Sequence, residues 1–218
     1  MYNPSFFKTV IVADGTFPSH RVPLEYLKNA DRIICSDGAA DNLVEAGFIP
    51  DAIVGDMDSL SSELMERFSD RIFPDPGQET NDLTKTVAWC IEQEFREIVI
   101  VAATGKREDH TIGNISLLAE YVKKAKVIMV TDTGIFIPAI ENADIQSFPG
   151  QQVSVFSIDP STEITSSKLL YPLNKARLAN WWCGTLNEAT GENFTIEFTG
   201  GPLIIYLQHK KDSTSPIQ

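Results

Sequence analysis

Short apolar runs alternate with longer amphipathic stretches over the first two-thirds of the chain. Five of the apolar runs predict buried β-strands, at 10–13, 32–35, 52–54, 98–101 and 127–130. The amphipathic stretches between them predict helices at about 39–46, 61–68, 80–94 and 111–123. Short apolar strands separated by helices are typical of a parallel sheet that helices cover on both faces. We therefore expect an α/β domain with a doubly wound, mainly parallel sheet over residues 1–140.

The pattern changes near residue 140, after which strand-like alternation replaces helical periodicity. Segments 152–157 and 194–198 alternate apolar and polar residues, and 203–207 is a further apolar strand. Glycine and proline separate these segments at short intervals, as in small antiparallel folds. The sequence predicts an antiparallel β-sandwich over residues 141–210 and a flexible tail over 211–218.

Charge and cysteine content narrow the classes of function. The 218 residues include 18 Lys and Arg against 30 Asp and Glu, so the formal net charge is −12. A chain this acidic lacks the basic surface that binds nucleic acid, and no apolar run reaches the ~18 residues of a membrane helix. Cys35, Cys90 and Cys183 form no CxxC pair, and the N-terminus shows no signal peptide. We therefore expect a cytoplasmic protein with neither nucleic acid nor a membrane as partner.

Acidic and glycine-rich segments follow the predicted strands. In segment 55–59 (GDMDS), Asp56 and Asp58 stand two residues apart, so in an extended backbone they point the same way. Two carboxylates ~5 Å apart repel by about 3 kcal/mol at an effective dielectric of 20, and a cation would remove that repulsion. Oxygen ligands without a neighbouring His or Cys favour Mg²⁺. The alternative is a pair of solvated loop aspartates, one of which caps the next helix.

A second segment, 78–85 (QETNDLTK), opens the third predicted helix. With Thr80 as the N-cap, Asp82 lies in the first turn and Lys85 lies one turn later on the same face. Asp82 would then be a third metal carboxylate, and Lys85 would bind phosphate. The alternative is helix capping combined with a surface ion pair.

A third segment, 104–114 (TGKREDHTIGN), follows a strand and opens a helix whose backbone N–H groups could receive phosphate. It is not a P-loop, because Ile100 stands where that motif has Gly and Arg107 where it has Ser or Thr. Arg107 would bind phosphate oxygens, and Asp109 would contact the metal or the attacking hydroxyl. The alternative is a charged turn with Asp109 as helix cap, and a lone His110 is more often a structural hydrogen-bonder.

A fourth segment, 36–41 (SDGAAD), follows the second strand, where Gly38 allows close approach of the backbone. Its alternative interpretation is an ordinary helix start. In a doubly wound sheet the carboxyl ends of the strands meet at one rim, so the four segments would converge there. Local Lys, Arg and Mg²⁺ charge could then hold a polyphosphate in spite of the acidic net charge.

Taken together, these segments resemble the thiamine pyrophosphokinase (thiamine diphosphokinase) family. The matching segments, in the same order, are 37–38 (DG), 55–59 (GDMDS), 81–85 (NDLTK), 105–110 (GKREDH) with Asn114, and 184–188 (GTLNE). The resemblance spans about residues 8–207. It implies an α/β domain followed by a β-sandwich, in a homodimer with active sites between the subunits. It also implies Mg²⁺-dependent transfer of the pyrophosphoryl group of ATP to the hydroxyl of thiamine, with release of AMP.

The resemblance further implies roles for single residues. The implied metal ligands are Asp56, Asp58 and Asp82, with Asp109 as a further catalytic residue near the metal. The implied phosphate and nucleotide contacts are Asp37, Gly38, Lys85, Arg107, His110 and Asn114. The implied thiamine contacts are Gln78, Thr185 and Asn187, the last two from the partner subunit. The proton acceptor stays open between Asp82 and Asp109, and Ile204 and Ile205 stand where some members stack an aromatic residue on thiamine.

Two other functions remain open at this point. A phosphatase of the haloacid dehalogenase type would use Asp56 as nucleophile and Lys85 as its partner. The early glycine-rich segments and the β-rich C-terminal part fit that class less well. A non-catalytic nucleotide-sensing domain with a β-rich ligand module would bind ATP or thiamine without turnover.

Overall fold

The computed structural model describes residues 6–210, which form two compact units that divide between Asp132 and Thr133. The strands of the first unit are β1 (Thr9–Val12), β2 (Arg32–Ser36), β3 (Ala52–Gly55), β4 (Ile72–Pro74), β5 (Glu97–Val101) and β6 (Lys126–Val130). Its helices are α1 (Arg21–Lys28), α2 (Ala39–Glu45), α3 (Ser62–Arg67), α4 (Asp82–Glu92) and α5 (Glu108–Tyr121). Over residues 6–210, none of the helices has the length and apolar character needed to cross a membrane.

The six strands of the first unit form a parallel sheet in the order β6-β5-β1-β2-β3-β4. In the centre of this sheet, Val10 of β1 lies opposite Ile33 of β2 on one side and Val99 of β5 on the other. The chain adds strands in one direction from β1 to β4 and then places β5 on the opposite side of β1. This reversal is a topological switch point, at whose carboxyl end doubly wound sheets bind their ligands.

Burial explains why these strands form. All residues of β1 and β3 are buried. In β2, β5 and β6 the first residue is less buried, and the other four residues are buried. Such β-branched, apolar runs suit a parallel sheet because both of its faces are covered. Helix α4 packs against β2 and β3, and α5 packs against β6. The doubly wound α/β fold that the apolar runs predict is confirmed, although α5 begins at Glu108 and not at 111.

Two elements of the first unit escape the sequence prediction. Helix α1 has eight residues, and its N-cap is His20, whose ring nitrogen accepts a hydrogen bond from Val22 N–H (3.3 Å). Histidine is not among the usual N-cap residues, so the start of α1 has no clear sequence signal. Strand β4 has three residues and ends in Pro74, which is tolerated because β4 is an edge strand.

The second unit consists of antiparallel strands. They are β7 (Gly134–Ala139), β8 (Ala143–Gln146), β9 (Gln152–Ser157), β10 (Glu163–Ser167), β11 (Asn187–Glu188), β12 (Asn193–Thr199) and β13 (Leu203–Gln208). One sheet has the order β11-β9-β13-β7 and the other has the order β10-β12-β8. The strands predicted at 152–157, 194–198 and 203–207 correspond to β9, β12 and β13, which confirms an antiparallel C-terminal fold. The tail predicted at 211–218 lies outside the described residues.

Candidate active site

A cleft of about 350 Å³ lies at the carboxyl ends of β1, β2 and β5, next to the switch point. Six of the residues that the sequence singles out line it: Asp37, Gly38, Asp82, Arg107, His110 and Asn114. The cleft is also lined by Asp14, Gly15 and Lys106, which the sequence prediction of site residues does not include. The loops after three strands therefore meet where the fold class places a ligand.

A cluster of carboxylates lies at the ends of β2 and β3. Asp37, Asp56 and Asp58 each contribute one carboxylate oxygen to a group whose members all lie within 4.8 Å of one another. Asp37 directly follows β2, and the other two aspartates follow β3, which pairs with β2 in parallel. The parallel pairing of two neighbouring strands thus brings these side chains together.

Asp37 is the most buried member of this cluster, with an exposed fraction of 3%. The Ser59 backbone N–H donates a hydrogen bond to its Oδ2 (3.1 Å), whereas its buried Oδ1 has no hydrogen-bond partner among the described residues. Burial is the main reason that the pKa of Asp37 is raised to about 6. The Ser59 hydrogen bond lowers this pKa, and the negative charges of Asp82, Asp56 and Asp58 raise it.

Gly55 makes this close approach possible. Its φ of +154° is a conformation that side-chain-bearing residues rarely adopt. A Cβ at this position would lie 2.8 Å from the Asp37 Cβ and 3.3 Å from the Asp82 Oδ1. A glycine at the end of β3 therefore leaves the space in which the carboxylates gather.

Asp56 is fixed by neighbouring donors. Its Oδ1 accepts a hydrogen bond from the Asp58 backbone N–H (3.3 Å), and its Oδ2 accepts one from the Gln78 side chain (3.2 Å). The hydrogen bond from the Asp58 backbone N–H is the main reason that the pKa of Asp56 lies below its usual value. The hydrogen bond from Gln78 and the charge of Lys85 lower this pKa further, whereas desolvation raises it by less than the Asp58 hydrogen bond lowers it. Asp56 is therefore ionised at neutral pH, and Gln78 lies beside the carboxylate cluster.

Lys85 is the cation nearest to this cluster, and only 4% of its side chain is exposed. Its Nζ lies 2.9 Å from Asp82 Oδ1 and 3.7 Å from Asp56 Oδ2. Burial alone would lower the pKa of Lys85, but the hydrogen bond to Asp82 and the charges of Asp82, Asp56 and Asp75 raise it. The predicted pairing of positions 82 and 85 on one helix face is thus present, with a buried lysine and not a surface one.

The start of α4 differs from the sequence prediction. The N-cap is Asn81 and not Thr80, because the Asn81 side-chain oxygen accepts the hydrogen bond from Thr84 N–H (2.9 Å). The Asn81 amide also donates to Asn114 Oδ1 (3.3 Å), and Asn114 in turn donates to the Ala103 carbonyl (2.9 Å). These bonds join the start of α4 to α5 and to the end of β5. Asn is a preferred N-cap residue, so the sequence did indicate this position, but Thr80 is also a residue type that caps helices.

The segment after β5 carries two ion pairs. Arg107 donates hydrogen bonds to both carboxylate oxygens of Asp109 (3.1 and 2.6 Å), and both side chains are exposed. The hydrogen bond from Arg107 is the main reason that the pKa of Asp109 falls to about 2. Asp109 lies in the first turn of α5 and is not its N-cap. Lys106 contacts Asp14 at 2.7 Å, which links this segment to the loop after β1.

In the second unit, Asn187 is buried with an exposed fraction of 8%. Its Oδ1 accepts hydrogen bonds from the N–H groups of Tyr171 (3.1 Å) and Glu188 (2.9 Å), and its Nδ2 donates to the Tyr171 carbonyl (2.7 Å). Both polar atoms of the Asn187 amide are therefore engaged in holding the segment around Tyr171.

Thr185 is exposed, and its hydroxyl donates to the Trp182 carbonyl (2.8 Å). Trp182 and Leu186 flank it with exposed fractions of 75% and 78%. Trp181, by contrast, packs its ring against Phe156, with 5.6 Å between the centroids. Ile204 and Ile205 are fully buried, so the exposed aromatic rings of this region belong to Trp182 and Tyr171.

Comparison with known proteins gives two adjacent family matches. The model described as "Thiamin pyrophosphokinase, catalytic domain" matches residues 24–130, and the model described as "Thiamin pyrophosphokinase, substrate-binding domain" matches residues 134–206. The chain belongs to the thiamin pyrophosphokinase family. This family consists of enzymes, and the haloacid dehalogenase and sensing alternatives are not favoured.

Curated relatives carry the same family name. The thiamine pyrophosphokinase of Bacillus subtilis (strain 168) is 28% identical over 212 residues, covering 91% of this chain and 97% of the relative. Thiamin pyrophosphokinase 1 of Caenorhabditis elegans is 29% identical over 120 residues. That match covers 51% of this chain and about half (49%) of the relative's length.

Solved structures show the fold of the family. The crystal structure of thiamin pyrophosphokinase from Geobacillus thermodenitrificans has a TM-score of 0.76 and 25% identity, covering 94% of this chain and 98% of that one. A family protein from Enterococcus faecalis has a TM-score of 0.79 at 18% identity, covering 94% of this chain and 100% of that one, which supports the fold alone.

The raised pKa of Asp37 predicts a pH-dependent stability. The folded protein holds the Asp37 proton more tightly than the unfolded chain does, so this side chain disfavours folding increasingly as the pH rises from about 3.8 to about 6. That difference in pKa corresponds to roughly 3 kcal/mol. Asp37→Asn should therefore raise the free energy of unfolding at pH 7.5 in EDTA, and the gain should vanish near pH 4. Urea titrations across this pH range measure it, and a variant less stable than wild type at pH 7.5 contradicts it.

The three hydrogen bonds of Asn187 predict that the protein loses stability when the amide is removed. Asn187→Ala should lower the free energy of unfolding by about 3 kcal/mol, because partly buried backbone groups of Tyr171 and Glu188 lose their partner. Thr185→Ala is the control, since it removes one exposed hydrogen bond and should cost at most about 1 kcal/mol. Chemical denaturation compares the two variants, and equal stabilities would refute the structural role of Asn187.

Proposed function

We propose that this protein transfers the pyrophosphoryl group of ATP to the hydroxyl of thiamine, forming thiamine diphosphate and AMP with the help of Mg²⁺. The observation that carries the proposal is the cluster of Asp37, Asp56 and Asp58, of which Asp37 lines the cleft, with the buried Lys85 beside Asp56. The cleft lies in the unit that matches the catalytic-domain model, which supports placing ATP and the chemistry there.

The side chains of the cluster fit a magnesium ion. All three offer carboxylate oxygens, the ligands that Mg²⁺ prefers, and the group contains neither His nor Cys. A buried Asp37 oxygen without a hydrogen-bond partner marks a position that a cation would satisfy. Asp56 and Asp58 would hold the ion together with a third carboxylate. When bound, Mg²⁺ would neutralise part of the negative charge on the phosphate oxygens.

The cationic side chains of the site would orient the polyphosphate. Lys85 is held next to the cluster by Asp82, so its charge is available where the phosphates would meet the metal. Arg107 lies at the start of the 14-residue helix α5, whose first backbone N–H groups add a second attraction for anions. In phosphoryl transfer such positioning and charge neutralisation account for most of the catalysis.

The thiamine hydroxyl needs a proton acceptor only late in a loose transition state. Asp109 is a weak base, because its pKa of about 2 lies far below neutral pH while Arg107 is bound to it. Asp82 shares its Oδ1 with Lys85, to which it is hydrogen-bonded. Neither carboxylate is arranged as a strong general base, which fits a reaction that depends chiefly on positioning.

Thiamine would bind between two copies of the chain. Gln78 beside Asp56 is the proposed contact in one subunit, and Thr185 near the exposed Trp182 is the proposed contact from the partner subunit. Exposed apolar side chains at Leu186 and Tyr171 support an interface in this region. The cysteines are free, which supports the proposed cytoplasmic location.

Product analysis tests the proposed reaction. Wild-type protein mixed with ATP, Mg²⁺ and thiamine should yield AMP and thiamine diphosphate in equal amounts, resolved by anion-exchange chromatography. Asp56→Asn should lower the rate by two or more orders of magnitude, roughly 3 kcal/mol or more of barrier, because the cluster loses a charged ligand. Asp31→Asn, at an exposed ion pair with Lys8, should keep the wild-type rate. Release of free phosphate without AMP would overturn the proposal.

Sedimentation analysis tests the proposed dimer. Leu186 is exposed and has a φ of +61°, a backbone conformation that Asp tolerates better than Leu, so Leu186→Asp should fold. The charge placed in the interface should shift the protein from the mass of two chains to that of one. Ile49→Asp changes an exposed residue of the first unit and should leave the dimer intact. A wild-type protein with the mass of one chain at micromolar concentration would refute the dimer.

A further inference from the structure

We infer that Asp14 and Lys106 form a recognition pair for the AMP half of ATP, in which Asp14 accepts hydrogen bonds from the ribose hydroxyls and Lys106 binds the α-phosphate. This inference rests on the proposed function, since it concerns the nucleotide of that reaction. It adds to the site two residues to which neither the sequence motifs nor the family resemblance assigns a role.

The pair lies in a part of the cleft that the carboxylate cluster does not occupy. Near the cluster, the cleft is lined by the segments after β2 and β3 and by the start of α4. Asp14 and Lys106 belong to the segments after β1 and β5, which line another part of the cleft. In the proposed transfer the pyrophosphoryl group lies at the cluster and at Lys85, so the AMP half is left with the side formed by β1 and β5.

Asp14 and Lys106 contact each other although 92 positions separate them along the chain. Lys106 Nζ donates a hydrogen bond to Asp14 Oδ1 at 2.7 Å, and 51% of each side chain is exposed. This contact uses one carboxylate oxygen and one ammonium proton, so both groups keep the capacity to bind a ligand. The pair carries no net charge, and its carboxylate therefore repels a polyphosphate less than an isolated carboxylate would.

The backbone holds Asp14 in place before a ligand binds. Ala13 N–H donates to the Val101 carbonyl (3.0 Å). Gly15 N–H donates to the Ala102 carbonyl (2.6 Å), so the pairing of β1 with β5 continues on both sides of Asp14. A Cβ on Gly15 would lie 2.3 Å from the Ala102 carbonyl oxygen, and this close approach therefore requires glycine.

The far end of the same loop, residues 13–20, is held by Asp132, which follows β6. The Asp132 carboxylate accepts hydrogen bonds from Ser19 N–H (3.0 and 3.1 Å), from Ser19 Oγ (2.6 Å) and from His20 N–H (3.1 Å). The loop is thus fixed at both ends, so a nucleotide that binds to it has little ordering entropy to overcome.

A ribose with its phosphate presents the two kinds of group that this pair can bind. The ribose hydroxyls donate hydrogen bonds, and in dinucleotide-binding sheets an acidic side chain accepts such a bond. The α-phosphate accepts hydrogen bonds, and a bond from the Lys106 ammonium is charge-assisted. Because AMP is the leaving group, Lys106 would also neutralise the charge that the α-phosphate gains when its bond to the β-phosphorus breaks.

Calorimetric titrations of the full chain with ATP and Mg²⁺, without thiamine, test the ribose contact, with 2′-deoxy-ATP and 3′-deoxy-ATP for comparison. Wild-type protein should bind ATP about tenfold more tightly than at least one deoxy nucleotide, which lacks a hydrogen bond to a charged acceptor. Asp14→Ala should bind ATP more weakly and lose most of this preference. Glu120→Ala is the matched control, because Glu120 forms an exposed ion pair with Lys123 near the end of α5 and should keep the wild-type preference.

The same titrations test the phosphate contact. Lys106→Met should weaken the binding of all three nucleotides by about tenfold, because each carries the α-phosphate, and should leave the ribose preference unchanged. Lys106→Arg should restore part of the affinity, since it returns the positive charge. Lys123→Met removes the lysine of the control pair and should bind ATP like wild type.

Equal affinities of the wild-type protein for the three nucleotides would overturn the inference, and so would an unchanged preference in Asp14→Ala. Wild-type affinity of Lys106→Met for ATP, or no binding of ATP by the wild-type protein, would overturn it as well. These titrations need no turnover, whereas formation of AMP and thiamine diphosphate decides the proposed function, so the two failures are distinguishable. Thermal melts check folding, and Asp14→Ser replaces Asp14→Ala should the latter not fold.

Discussion

The site depends on holding like charges close together at one edge of a parallel sheet. Asp37, Asp56 and Asp58 approach within 4.8 Å, and the burial of Asp37 makes their repulsion stronger than it would be in water. The backbone N–H groups of Ser59 and Asp58 and the ammonium of Lys85 offset this repulsion in part. The rest of the fold supplies the rigidity that keeps the carboxylates from moving apart, as expected where binding sites are preorganised at the expense of stability.

The sequence predicts well which residues lie at this edge of the sheet, because the pattern that indicates them is local along the chain. Buried apolar runs end at Asp37 and at Asp56, and parallel pairing of β2 with β3 then brings both residues to one edge. The spacing of Asp82 and Lys85 also predicts their contact, which follows from helix geometry. These features need no knowledge of which strands pair beyond the general rule for doubly wound sheets.

Other features depend on contacts that pattern alone does not determine. The burial of Asp37 and its unsatisfied oxygen follow from the approach of Ser59 and from the conformation of Gly55, 18 residues further along the chain. The polar strands β8 and β10 carry little apolar signal, and they form because β12 pairs with both of them. In such cases tertiary contacts decide the outcome, so propensity and alternation are weak guides.

The charge pattern of the cleft bears on how an acidic protein can select a polyphosphate. Lys85, Lys106 and Arg107 each lie in an ion pair with an aspartate: Asp82, Asp14 and Asp109, respectively. An anion that enters the cleft must compete with these carboxylates, so a simple phosphate gains little. A polyphosphate that arrived with a divalent cation would differ, because the carboxylate cluster could hold the cation while the lysines and the arginine could bind the phosphate oxygens. In the proposed reaction, the net charge of −12 would therefore favour a polyphosphate that carries a divalent cation over the free anion.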